Sequence, residues 1–404
     1  MVLVPLSLAL PVSTSAAELS DKIALELEKP AHIAPWQRYK GWDSSDWKNY
    51  NNLAQEVSPP VTPPQKFSDP LSGDAEKGQK LVADRSRGGS CYACHVMPGA
   101  NLPGNVGPDL STVATWQRTD EHLFNYIYDA RNVNPNTVMP PWGTHQVFTP
   151  EEIKDMVAYL KTLTTATVFK SSDEDPAKRP VPVEHRDNLD EFTNPAMLSI
   201  EVGKNLFNQV GPMNKSCKNC HDDPKELFKT WATTMPQYEP RLKKMVGIEE
   251  LITRHARATT GADYPVQTED NLSLAIYLRY LANGQPIAIV TDDANTQAAL
   301  KRAEILVKRK VGQLNFACTD CHTVSANKWI RGQYLANTKA MLDHFPTYRT
   351  SRTEIWDIRK RIQWCNIAVR ANELPPDAPE YGDLELYLAV AGQGQKLSVP
   401  GIRH

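Results

Sequence analysis

Apolar residues recur at helical spacing in several separated stretches of this chain, and polar or proline-rich runs divide them. DAEKGQKLVAD (74–84) predicts one helix. TPEEIKDMVAYLKTL (149–163) predicts another, with Thr149 as N-cap and acidic residues in its first turn. VGKNLFNQV (202–210) and AEILVKRK (303–310) are helical runs too, and SDKIALELEK (20–29) predicts a short helix near the start. SPPVTPPQ (58–65) and KSSDEDPAKRPVPVEHRD (170–187) read as linkers, the second lying across the surface. The expected class is mainly α.

The apolar runs of the second half repeat. LAIYLRYLANGQ (274–285) parallels LELYLAVAGQGQ (384–395), with Leu274/Leu384, Tyr277/Tyr387, Leu278/Leu388, Gly284/Gly394 and Gln285/Gln395 all 110 positions apart. Pro236/Pro346 and Tyr238/Tyr348 keep that offset. Upstream, 202–221 parallels 303–322 at an offset of 101, so the second unit holds nine extra residues before Pro346. Two tandem units account for this.

Composition adds limits. A chain of 404 residues is too long for one ordinary core and implies two to four domains. A net charge of −2 makes neither nucleic acid nor an anionic membrane an obvious partner. MVLVPLSLALPVSTSAAELS resembles a secretory signal cut after Ala17, without the usual basic n-region; an uncleaved apolar tail is the alternative. No later segment has the roughly twenty apolar residues of a transmembrane helix. The mature protein is therefore expected to be soluble and exported to the periplasm.

Six of the seven cysteines fall into three C-x-x-C-H motifs: Cys91, Cys94 and His95; Cys217, Cys220 and His221; Cys318, Cys321 and His322. This is the attachment motif of c-type haem, in which two thiols reach the porphyrin vinyl groups and the histidine supplies an axial bond to iron. A zinc site would need a second ligand pair near each motif, and there is none. Three covalently bound haem c groups and three cytochrome c-like modules are expected, the last two being the tandem repeat. The expected division is 1–17 signal peptide, 18–70 arm and linker, 71–166 monohaem module, 167–194 linker, 195–290 haem unit one and 291–404 haem unit two. In the first module NPNTVMPPWG (134–143) presents Met139 in a loop stiffened by prolines, suited to be the sixth iron ligand. Core packing is its other reading; Met97 lies too near His95, and Met156 sits in a packing helix.

The seventh cysteine, Cys365, lies 110 positions after His255. Two residue types that bind iron well thus share one register, each beyond its own attachment motif. The reading is that both are distal ligands, opposite His322 and His221 respectively. A buried inert thiol and an ordinary histidine are the alternatives, and His185 and His344 are rival ligands. Arg361 lies one helical turn before Cys365, where a guanidinium favours the thiolate and can hold an oxyanion. Arg349, Arg352, Arg359 and Lys360 add charge nearby, the last two read as a solvated helix face.

KRIQWCNIAVRANELPPDAPEYGDLELYLA (360–389) closely resembles the SoxA subunit of the sulfur-oxidation cytochrome complex SoxXA. Residues 71–166, with NVGPDL and NPNTVMPPWG, resemble its monohaem SoxX partner, so the chain resembles a natural fusion of the two. The resemblance implies an L-cysteine S-thiosulfotransferase that joins thiosulfate to a cysteine of the SoxYZ carrier and passes two electrons to a cytochrome c acceptor. It implies catalytic roles for Cys365 and Arg361. Well-known di-haem members have a second cysteine where this chain has His255, which implies a bis-histidine relay haem. Electrons would run from the Cys365 haem by way of that relay to the Met139 haem. The other readings are a tetrathionate-forming thiosulfate dehydrogenase fused to a cytochrome, and a non-catalytic electron carrier.

Overall fold

The computed structural model describes residues 23–404 apart from 44, 58–60, 88 and 184; the expected signal segment 1–17 lies outside the described residues. The first module is built from α1 (Ala75–Ala83), α2 (Asp120–Tyr128) and α3 (Pro150–Leu160). Each start is chemically marked. Asp74 accepts from the N–H groups of Glu76 and Lys77, Thr119 caps α2, and Thr149 and Glu152 close a capping box on α3. Helix α1 crosses α3 at Gly78, where a Cβ would stand 2.0 Å from the Asp155 carbonyl oxygen. Val82, Met97, Phe124, Ile153, Met156 and Leu160 fill the core beneath.

Unit one runs α4 (Leu198–Asn208), α5 (Pro224–Trp231), the antiparallel pair β1 (Gln237–Glu239) and β2 (Lys244–Val246), α6 (Ile248–Thr259) and α7 (Glu269–Tyr280). Helix α4 crosses α7 at Gly203, again with no room for a Cβ, which would lie 2.1 Å from the Ser273 carbonyl oxygen. Unit two follows with α8 (Ala294–Leu306), the hairpin β3 (Trp329–Ile330) and β4 (Gln333–Tyr334), then β5 (Thr347–Arg349), β6 (Glu354–Trp356), α9 (Ile358–Ala368) and α10 (Pro379–Ala391). Strand β7 (Gly401–Arg403) returns to lie parallel to β5. The starts of β1 and β5, β2 and β6, α6 and α9, and α7 and α10 are each 110 positions apart.

The two units share one interior. Met245, Val246, Ile248 and Leu274 pack in the same apolar cluster as Ile358, Leu386 and Leu397. Buried charges are paired across the seam: Glu250 meets Lys244 at 2.8 Å, Arg254 at 2.9 Å and Arg359 at 3.2 Å, and Arg359 also meets Glu385 at 2.9 Å. Removing one member would leave an uncompensated buried charge, so the network locks the units in register.

Two local expectations are corrected. Residues 23–29 form no helix. Ile23 and Leu25 alternate into the shared core, and the backbone bonds sideways, with Glu26 N–H donating to the Arg254 carbonyl at 3.0 Å. Side-chain burial at period two has outweighed helix propensity. Arg359 and Lys360 do not lie on a solvated face either. Both are buried, because α9 packs into the seam where Glu250 and Glu385 take Arg359, and Glu354 takes Lys360 at 2.8 Å.

The hairpin β3–β4 occupies the stretch where unit two is longer, and it docks onto the first module. Asn105 N–H donates to the Trp329 carbonyl at 3.1 Å, and Arg331 N–H to the Ala93 carbonyl at 3.0 Å. Asn105 Oδ1 accepts from Trp329 N–H at 2.8 Å, and the linker residue Arg179 stacks on the Trp329 ring at 4.7 Å. Among the described residues no helix is long and apolar enough to cross a membrane.

Candidate functional site

The first two attachment motifs begin in tight turns, Cys91–Ala93 and Cys217–Asn219, and the third enters a wide turn at Asp320–Val324. All seven cysteines are free of disulfides. His95 and His322 are oriented alike: Nδ1 faces the Pro108 carbonyl at 2.8 Å and the Ala336 carbonyl at 2.9 Å. A carbonyl can only accept, so Nδ1 carries the proton and Nε2 keeps its lone pair, the tautomer a metal ligand needs. Burial lowers the pKa of His95, His221 and His322, which favours neutral rings.

Met139 is half-buried and packs against the first module's core, with its N–H bonded to Thr137 Oγ1 at 3.0 Å. Met97 and Met156 are fully buried core residues. In unit one the rings of His221 and His255 have centroids 6.0 Å apart. An imidazole–metal bond is about 2 Å and the ring centre lies about 1 Å further back, so two imidazoles on opposite sides of one ion stand ~6 Å apart. The pair fits an iron between them. His255 is steered there by its own Nδ1–H, which donates to the Ala24 carbonyl of the arm at 2.8 Å.

In unit two α9 brings Cys365 to the third motif. Burial pushes the Cys318 and Cys321 thiols up to about 12, and the nearby Cys365 sulfur adds to the effect. Arg361 Nη1 lies 2.9 Å from Cys365 Sγ, on the same helix face. Arg361 also bears on His322, so motif, cysteine and guanidinium share one site. Trp364, next to Cys365 on α9, belongs to an aromatic cluster. Trp42 of the arm contacts Trp356 and Trp364 edge-on at 5.9 and 5.5 Å, and Arg352 stacks on Trp364 at 4.0 Å. In the sequence, Trp36, Trp42 and Trp47 mark residues 18–70 as an ordered arm packing on a haem module.

The rival histidines are engaged elsewhere. His344 is buried and donates from Nδ1 to Asp343 at 2.9 Å, and His185 Nε2 lies 3.3 Å from the same carboxylate. His185 Nδ1 accepts from Asn188 at 3.1 Å and Arg403 at 3.0 Å, so both of its nitrogens are committed. The first and third motifs are neighbours: Cys94 is among the charges that bear on Cys321.

Residues 202–287 match the family model described as SoxA/TsdA, cytochrome c domain, and residues 75–164 match that for cytochrome c. The chain is 31% identical to the L-cysteine S-thiosulfotransferase subunit SoxA of Pseudaminobacter salicylatoxidans over 53% of its own length and 75% of that protein. It belongs to the SoxA family. The SoxA of Allochromatium vinosum is 26% identical over 65% of this chain and 93% of its own length. The crystal structure of SoxXA from P. pantotrophus shares the fold, with a TM-score of 0.50 at 23% identity over 54% of this chain and 82% of that one. A SoxA-family chain with cytochrome c domains carries covalently bound haem c, and the oriented histidines and free cysteine pairs above fit that group.

Proposed function

We propose that this chain joins thiosulfate to a cysteine of a SoxYZ-like carrier protein in the periplasm and delivers two electrons to a cytochrome c acceptor. The observation that carries this reading is the 2.9 Å contact between Arg361 Nη1 and Cys365 Sγ beside the third attachment motif. In this reading residues 71–166 act as a SoxX-like module fused to SoxA-like units 195–290 and 291–404. Three haem c groups are held by Cys91 and Cys94, Cys217 and Cys220, and Cys318 and Cys321. His95 with Met139, His221 with His255, and His322 with Cys365 would hold the irons. Haem c in these sites supplies one-electron acceptance.

The protein's own groups do the rest. A bond forms between the carrier's cysteine sulfur and the outer sulfur of thiosulfate, giving carrier–S–S–SO3−; the thiol proton and two electrons leave. Arg361 holds sulfonate oxygens by charge-assisted hydrogen bonds. Cys365 presents a sulfur to the same spot, placed to exchange sulfur–sulfur bonds with the bound anion.

Replacing Cys365→Met tests the assignment. The variant is expected to keep three covalent haems, counted by mass, and to yield no thiosulfate adduct on the carrier. Adduct formation at the original rate would overturn the role of Cys365. Tetrathionate production without carrier would assign the protein to the dehydrogenase class instead.

A further inference from the structure

The register between the units isolates one more residue at the Cys365 site. Glu239 ends β1, and Arg349, 110 positions later, ends β5. Glu239 is fully buried and neutralised at short range: Arg241 donates from Nε to Oε1 at 2.8 Å and from Nη2 to Oε2 at 2.9 Å. The counterpart of Arg241 is Ser351, so unit two lacks that arrangement.

Arg349 is 8% exposed, and its Nε is buried without a hydrogen-bond partner. The charged groups bearing on it most are Arg361, Cys365, Arg403 and Arg352: three cations and the sulfur of the site. Burial, then Arg361, pulls its pKa down to about 9. The Trp356 ring, 5.8 Å away, offers its face but no acceptor. A guanidinium buried among cations is costly to fold unless an anion arrives to take its donors.

We infer that Arg349 is an oxyanion-binding residue of the Cys365 site and takes the sulfonate end of thiosulfate together with Arg361. This rests on the thiosulfate reading above and deepens it. Two guanidiniums from different elements, a strand end and a helix, can grip three sulfonate oxygens where one cannot. They leave the outer sulfur pointing away from the cations. A haem carboxylate is the other oxyanion that could meet Arg349 there, and the test separates the two.

The test uses oxidised holoprotein with Arg349→Met, and with Arg349→Glu combined with Ser351→Arg, which rebuilds unit one's ion pair in unit two and so protects the fold. Thiosulfate and sulfate binding are measured by calorimetry without carrier, kcat and KM with carrier, and the haems by paramagnetic resonance and midpoint potential. Both variants are expected to bind each anion about 10–100-fold more weakly, the worth of lost charged hydrogen bonds. KM for thiosulfate should rise alike, kcat stay within about two-fold, and the haem signals stay unchanged. Unaltered anion binding with a shifted potential would overturn the inference and make Arg349 a haem-carboxylate clamp. Parent protein that binds thiosulfate through Arg349 yet forms no carrier adduct would uphold this site and sink the carrier reaction.

Discussion

Three side chains distinguish unit two from unit one at one place in the fold: Leu251, His255 and Glu239 become Arg361, Cys365 and Arg349. An imidazole facing an apolar neighbour is replaced by a sulfur rimmed with guanidiniums. Elsewhere at this scale, His344 shows burial acting on one proton. Desolvation drives its pKa down to about 4 although Asp343 opposes the shift; His185 and Arg403 also face it and disfavour a second charge. From about pH 6.5 down towards 4 the unfolded chain binds a proton here that the folded chain refuses. Stability therefore falls as pH drops through that window. Thermal midpoints at pH 7 and 5 are expected to differ less in His344→Gln than in the parent; an equal difference would remove His344 as a cause of acid lability.

At the scale of elements, helix crossings and one inserted hairpin set the geometry. Gly203 lets α4 and α7 meet backbone to backbone, so Gly203→Ala should cost about 1–3 kcal/mol by overpacking. A lowered thermal midpoint with haem content unchanged is the expected reading; an unshifted midpoint would mean that the crossing relaxes freely. The helices were legible because caps and apolar spacing are local, as Thr149 and Glu152 illustrate. The pairing of His255 and Cys365 was legible because a repeat compares a sequence with itself. Illegible were contacts made by tertiary packing. Residues 23–29 carry a helical composition but obey the alternation of the surface they cover. Arg359 and Lys360 look like surface charges until Glu250, Glu385 and Glu354 are brought to them. Arg349 became distinctive only when its burial and missing partner were known.

At the scale of the whole molecule, the hairpin β3–β4 joins the first module to unit two and brings Cys94 near Cys321. Trp329, held between Asn105 and Arg179, is the centre of that contact. Trp329→Ala is expected to loosen the first module and to speed protease cleavage between residues 167 and 194 several-fold, local opening being governed by such packing. Electron exchange between the first and third centres, followed by rapid-mixing absorbance, should slow in parallel. Cleavage at the parent rate would show that the backbone bonds alone hold the modules together.

The docked hairpin belongs to the same covalent chain as the surface it meets. Two separate polypeptides would fall apart on dilution below their dissociation constant. Here a tether of a few dozen residues holds the partners at an effective concentration in the millimolar range. In the proposed reading, passage of charge between these centres would be a first-order event for each molecule, as fast in a dilute compartment as in a crowded one.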